Sequence, residues 1–320
     1  MNKTRMLEIA AVVAMATALI LALVVGEEQT MGNLARVLFV HVPSAWLAYM
    51  AFVITLLGSA LYLWKKDLRW DRLAAASAEV GVFFTTLTIA LGMIWGRSTW
   101  GVWWTWDARL VLTAVMLFVY LGYLALRRSI PERISRARRS AWLGILGIIQ
   151  IPIVHFSVLW WRTLHQAPTV LRPGAMQMDP PFRAALFAAL FAFTIVYVVL
   201  MRRRINLAIL EDRFDQIVAA EEREVAGEAI TAPRYEDAPE TFHAEAQAHG
   251  RTRNLSMMLP AIAAIVVVAA VGIVSSRATS LTNWGWVSYA YTVTYVAMIA
   301  YVTWLIWRIH TTRRRVEEVR

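Results

Sequence analysis

Apolar residues along this chain gather into unbroken runs, not the alternating or one-faced patterns of a soluble domain. MLEIAAVVAMATALILALVV (6–25), HVPSAWLAYMAFVITLLGSALYLW (41–64) and LAAASAEVGVFFTTLTIALGMIW (73–95) each reach the ~20 residues that a helix needs to cross a bilayer. LVLTAVMLFVYLGYLAL (110–126), SAWLGILGIIQIPIVHFSVLW (140–160) and FRAALFAALFAFTIVYVVL (182–200) follow after short connections. MMLPAIAAIVVVAAVGIVSS (257–276) and WVSYAYTVTYVAMIAYVTWLIW (286–307) come after a long polar gap. The pattern predicts an all-α polytopic membrane bundle, a six-helix core with two additional C-terminal helices. The first run is read as a retained helix, because it is longer than a signal core and no small-residue cleavage site precedes Glu27-Glu28.

The polar gap divides the chain. Residues 1–204 read as one compact block and 257–320 as a two-helix C-terminal module. Between them, 205–256 is an acidic cytoplasmic linker holding eleven of the 22 acidic residues. It begins with a short amphipathic helix, striped by Ile205, Leu210, Phe214, Ile217 and Val218. The rest of the linker is too polar to pack.

Composition agrees with the runs: 59% of residues are hydrophobic and 17% charged, against about half and a quarter in soluble domains. A net charge of +10 would suit nucleic acid, but its placement argues otherwise. Lys and Arg collect in alternate loops, 65–72, 127–139, 202–204 and the tail 308–320, whereas 26–40, 96–109, 161–181 and 277–285 are poorer in them. This positive-inside pattern predicts cytoplasmic termini and an external loop WGRSTWGVWWTWDAR (95–109), with no nucleic-acid partner. The chain has no cysteine, so disulfide exchange and thiolate metal ligation are excluded. It also lacks GxxxxGK[ST] and HExxH, which leaves an ATPase or zincin site unsupported.

The external loop carries Trp95, Trp100, Trp103, Trp104 and Trp106. An interfacial aromatic belt would spread tryptophans over both faces. Here ten of the 15 fall on the outer side, the other five being Trp46, Trp160, Trp161, Trp284 and Trp286. Such a surface suits a large planar ligand that stacks on indole faces. Arg97 or Arg109 is placed to meet an anionic edge, and Asp107 to orient an arginine or an indole N–H. His41 opens the second predicted helix, with Pro43 suited to its first turn, and His165 follows the fifth. Both lie at the level of the tryptophan loop, where two imidazoles can hold an iron porphyrin from opposite faces. Each is equally open to a packing role. His155, beside Pro152, reads as a packing or access residue. Glu79 lies deep in the third helix, where a carboxylate costs about 2.5–3.5 kcal/mol on insertion scales. It is therefore protonated or paired inside the bundle.

With these residues in hand, WGVWWTWDARL resembles the tryptophan-rich signature of the heme-handling membrane proteins of cytochrome c maturation. Asp107-Ala108-Arg109-Leu110 is similar to the CcmC branch, and so are VHVPSAWLAYM around His41 and FSVLWWRTLHQ around His165. The resemblance spans roughly residues 1–204. It implies that His41 and His165 are axial ligands of heme b. By the same resemblance, the Trp95–Arg109 loop presents the porphyrin to the heme chaperone CcmE, in a complex with CcmA, CcmB and CcmD. The role so implied is heme binding, transfer and assembly, not conventional enzyme catalysis. Arg97, Arg109 or Arg162 are expected to engage propionates, with Trp160 and Trp161 at the porphyrin edge. After LHQ the family usually shows a Gly-Ser pair, whereas here Ala167-Pro168 follows. WVSYAYTVTYVAMIAYVTWLIWRIHTTRRR is similar to CcmD, so the C-terminal module reads as a fused equivalent.

Two other classes fit parts of the pattern. A b-type electron-transfer cytochrome also pairs histidines, but usually buries them between helices. A permease for heme or a small molecule would call for more intramembrane ionisable residues than Glu79 alone.

Overall fold

The computed structural model describes residues 3–166, 178–231 and 282–318. Its helices are α1 (Lys3–Val24), α2 (Leu38–Lys65), α3 (Leu68–Trp100), α4 (Ala108–Ser129), α5 (Arg133–Gly147), α6 (Gln150–Trp160), α7 (Pro180–Thr231) and α8 (Asn283–Glu318), with a 3-10 helix, η1 (Asn33–Val37), leading into α2. Among the described residues, seven helical segments are long and apolar enough to cross a membrane, with α5 and α6 together forming one of them. The chain is an integral membrane protein of all-α architecture. The predicted helix 257–276 and most of the predicted linker lie outside the described residues.

The central element is α3, with small residues packing it closely against α2. A methyl group placed on Gly58 would lie 3.0 Å from Ala74 Cβ and from the Trp70 carbonyl oxygen, and one on Gly81 would lie 2.6 Å from the Phe52 ring. Ser77 Oγ crosses the same seam to donate to the Ala51 carbonyl at 2.6 Å. The N-cap of α3 is Asp67, whose carboxylate accepts from the Arg69 amide at 2.8 Å.

Two elements differ from the sequence expectation. The fifth predicted helix is broken at Ile148-Ile149, where the amides reach back only three residues, to Ile145 and Leu146. Pro152 has no N–H to give the Ile148 carbonyl, so the regular ladder cannot pass through. The other difference is at Arg204, where α7 runs on without interruption from Pro180 to Thr231. Its extension is tied to the bundle by Asp212, which accepts from Arg72 of α3 at 3.0 Å and from Arg133 of α5.

Glu79 is paired. Its carboxylate accepts from Arg204 Nε of α7 at 2.7 Å and from the Tyr301 hydroxyl of α8 at 3.3 Å. The Arg204 guanidinium also lies 3.6 Å from Glu211, which accepts a bond from Arg308. This polar knot ties α3, α7 and α8 together at the end of the bundle where Asp71 bonds Arg127 through two contacts of 2.5 and 2.8 Å. Removing Glu79 takes from the buried Arg204 a charge-assisted hydrogen bond and leaves Glu211 at 3.6 Å, a loss of about 1.5–3 kcal/mol. Glu79→Ala is therefore expected to lower unfolding stability by about that amount, with the double variant Glu79→Met/Arg204→Met recovering most of the loss. Thermal unfolding of both proteins in detergent measures the difference.

Candidate functional site

The site is built at the opposite end of the bundle, where α2 begins, α3 ends, α4 begins and α6 ends. α2 starts at Leu38, continuous with η1, so His41 and Pro43 fall inside the helix and not at its opening. Pro43 leaves the Phe39 carbonyl without its usual amide donor. At the far end of α3, Gly101 (φ +76°) closes the helix in the left-handed conformation, a backbone that a side chain would strain. Its carbonyl accepts from the Arg97 guanidinium.

Asp107 caps α4, accepting from the Arg109 amide at 3.0 Å. The same carboxylate accepts from the Leu164 amide at 2.7 Å and from the Thr163 hydroxyl. Asp107 therefore orients the segment after α6 instead of an arginine side chain or an indole. Burial opposes its ionisation, but these three hydrogen bonds together hold its carboxyl below the usual carboxylate range. Thr163 Oγ1 in turn accepts from the His165 amide at 3.0 Å. The His165 ring is set by its Nδ1, which lies 3.1 Å from the Gln166 carbonyl. In the tautomer that donates this bond, Nε2 carries the free lone pair. Burial, and after it the positive charge of Arg109, push the His165 imidazolium down, so the ring is held neutral.

These elements enclose a cavity of about 640 Å³, within the range of about 300–1,000 Å³ usual for small-molecule sites. His41 (α2), His155 (α6), His165, Arg109 (α4), Trp95 and Trp100 (α3) all line it. Apolar residues of α7, among them Phe187 and Leu190, form another wall. Trp46 lines the same space and its indole donates to Thr194 Oγ1 at 3.3 Å. Among the described residues, neither the buried Nδ1 of His41 nor Nε of Arg109 has a hydrogen-bond partner. Arg109 Nη2 donates to the His155 carbonyl at 2.7 Å, and its Nη1 lies 3.5 Å from His165 Nδ1. Three imidazoles, one guanidinium and three indoles thus border one largely apolar space.

The remaining residues singled out by sequence stand apart from it. Trp103 packs edge-to-face on Trp286 of α8, at 5.7 Å between ring centroids. Trp104 and Trp106 contact each other at 6.2 Å, and Trp106 is 85% exposed. Trp160, Trp161 and Arg162 are exposed and do not line the cavity. Ala167 and Pro168 lie outside the described residues. Sequence reasoning passed over Tyr49 and Gly92 as cavity residues and placed Trp46 only on the outer side; Tyr49, two turns beyond His41, could have been found from helical spacing.

Gly92 has a local reason to lack a side chain, because a methyl group there would lie 3.4 Å from His41 Cε1. Alanine fits at that distance. Gly92→Leu is expected to displace the His41 ring, to cost about 1–3 kcal/mol by overpacking and to slow modification of His41 by diethyl pyrocarbonate. Gly92→Ala should do neither. Peptide mass spectrometry of the modified protein, with an unfolding curve, reads both effects.

Comparison with known proteins gives a consistent picture. The sequence pattern of the family described as CcmC, heme exporter protein C, matches residues 2–220. The chain is 35% identical to the heme exporter protein C of Bradyrhizobium diazoefficiens over 223 residues, 66% of this chain and 84% of the relative. It is 34% identical over 185 residues to the protein of the same name in Escherichia coli K12, covering 57% and 74% of the two chains. The Haemophilus influenzae protein of that name is 33% identical over 183 residues, 57% and 74% of the two chains. The matched range takes in α1 to α6 and the membrane-spanning part of α7, and excludes α8. The chain belongs to the CcmC family.

Proposed function

We propose that the protein handles heme for cytochrome c maturation, holding heme b as cargo in the cavity between His41 and His165 and passing it to a CcmE-type chaperone. The observation that carries this reading is the convergence of both histidines, with Arg109, Trp95 and Trp100, on one cavity in a chain of the heme exporter protein C family. Among the described residues no three His, Asp or Glu side chains are grouped so that they could hold a bare metal ion. A porphyrin iron brings four donors of its own and needs only two from the protein.

Each part of the chain then has a task. His165, kept neutral and fixed through Thr163 and Gln166, offers a ring nitrogen that needs no deprotonation. A ligating imidazole whose other nitrogen donates to a main-chain carbonyl is held in tautomer and direction. His41 brings an imidazole whose Nδ1 has no hydrogen-bond partner among the described residues. Arg109 neutralises a propionate; Arg97 and Arg162 point to other duties, one on Gly101 and one at the surface. Trp95 and Trp100 give the macrocycle a flat apolar wall. The exposed Trp106, Trp160 and Trp161, with the half-buried Trp104, offer aromatic surface to the chaperone. The alternation of basic loops supports a site on the external face and cytoplasmic termini. CcmA, CcmB and a CcmD-type helix complete the assembly on this reading, and the protein serves as a transfer factor, not an enzyme.

Titrating the purified protein with hemin tests the reading. The wild type should give a six-coordinate low-spin absorption spectrum, and His41→Ala or His165→Ala should lose it. Arg109→Ala should weaken hemin binding about 10-fold or more, the value of one hydrogen bond to a charged group. Arg97→Ala and Arg162→Ala should leave affinity unchanged. Wild-type protein that gives no low-spin spectrum at any hemin concentration would overturn the assignment.

A further inference from the structure

The last helix lies beyond the segment shared with the family, yet it touches two segments that border the cavity. At its site end, Trp286 meets Trp103 of the tryptophan loop edge-to-face at 5.7 Å. One turn on, the Tyr291 hydroxyl donates to the Arg36 carbonyl of η1 at 3.0 Å, and the Trp284 ring lies 5.0 Å from the Arg36 guanidinium. Arg36 is itself buried. It donates to the Ala22 and Leu23 carbonyls at the end of α1, at 2.6 and 3.0 Å, and to Asn33 at 2.9 Å. Met31 and Leu38, on either side of η1, both line the cavity. Midway along α8, Tyr301 stacks on Phe83 at 4.6 Å and donates to Glu79, and further on Arg308 donates to Glu211.

α8 is therefore fixed against the core from its site end to Arg308, and its site end meets two short irregular segments, the loop 101–107 and η1. The loop 101–107 has no helical hydrogen bonding, and η1 has no side-chain N-cap. Both border the site, and both are shaped by side chains of α8. We propose that α8 is a tethered positioning helix for the site: Trp286 holds the tryptophan loop through Trp103, while Trp284 and Tyr291 hold η1 through Arg36. Trp286 is a positioning residue, since it does not line the cavity. The consequence for heme handling rests on the function proposed above, whereas the effect on the loop does not.

Hydrogen–deuterium exchange of the full-length protein, read at residues 101–107 with and without hemin as the probe, separates the two. Losing one aromatic pair should speed loop exchange roughly two- to tenfold in Trp286→Ala, and should speed hemin dissociation by a similar factor. Trp286→Phe keeps a ring edge and should stay near wild type. Trp286→Leu fills the space without a ring, and reads the same loosening should the alanine variant fail to fold. Adding Trp286→Ala to Trp103→Ala should loosen the loop no further than Trp103→Ala alone. Trp307→Ala, on an exposed position of α8, should have no effect. Faster loop exchange in a protein that never binds hemin upholds the positioning role and removes the heme reading. Wild-type loop exchange in a folded Trp286→Ala or Trp286→Leu protein, or equal loosening by Trp307→Ala, overturns the proposal.

Discussion

Asp107 sits where α4 begins, and its carboxylate is shared between that helix and the segment that follows α6. One oxygen caps the first turn, which fixes the direction in which Arg109 leaves the helix. The other takes the Leu164 amide and the Thr163 hydroxyl, which sets the backbone at His165. A single ionised group thus brings a cation and an imidazole from two distant parts of the chain to one cavity. Neutralising or removing it would free both at once, and buried polar clusters of this kind act as units more than as sums of pairs.

A second constraint explains why the chemistry sits at helix ends. Within a bilayer every main-chain polar group must be satisfied internally, so regular helix fills the spans and irregular backbone is pushed to their termini. The two ends of this bundle use that freedom differently. One carries ion pairs, Asp71 with Arg127, Glu79 with Arg204 and Glu211 with Arg308, which lock α3, α4, α7 and α8 together. The other leaves its imidazoles and one guanidinium bordering an apolar space. The rigid end holds the helices in register, and the open end inherits that geometry.

The spans were legible in the sequence because hydropathy is a local property, and α1 to α4 and α8 follow their apolar runs closely. The level of His41, His165 and the tryptophan loop was legible too, since each stands next to the end of a run. What could not be read depends on partners far away in sequence. Glu79 finds Arg204 only once α7 lies beside α3, and Trp103 finds Trp286 only once α8 packs on the loop. The five tryptophans look alike in sequence, but only Trp95 and Trp100 lie on the helix that faces the cavity. Likewise Arg97 and Arg109 each donate to a main-chain carbonyl, but only Arg109 lines the cavity. The break in the fifth span was signalled by Pro152, whose effect on the Ile148 carbonyl is local and predictable. The helix 33–37 and the start of α2 before His41 carried no comparable signal.

The central claim is that two imidazoles, one from α2 and one placed by Asp107, reach the same bound iron. Low-temperature electron paramagnetic resonance of the hemin-loaded protein tests it most directly. The account predicts the low-spin ferric signal of an iron with two axial imidazoles, replaced by a high-spin signal when either histidine is changed. A high-spin signal in the unaltered protein, identical in both variants, would contradict it.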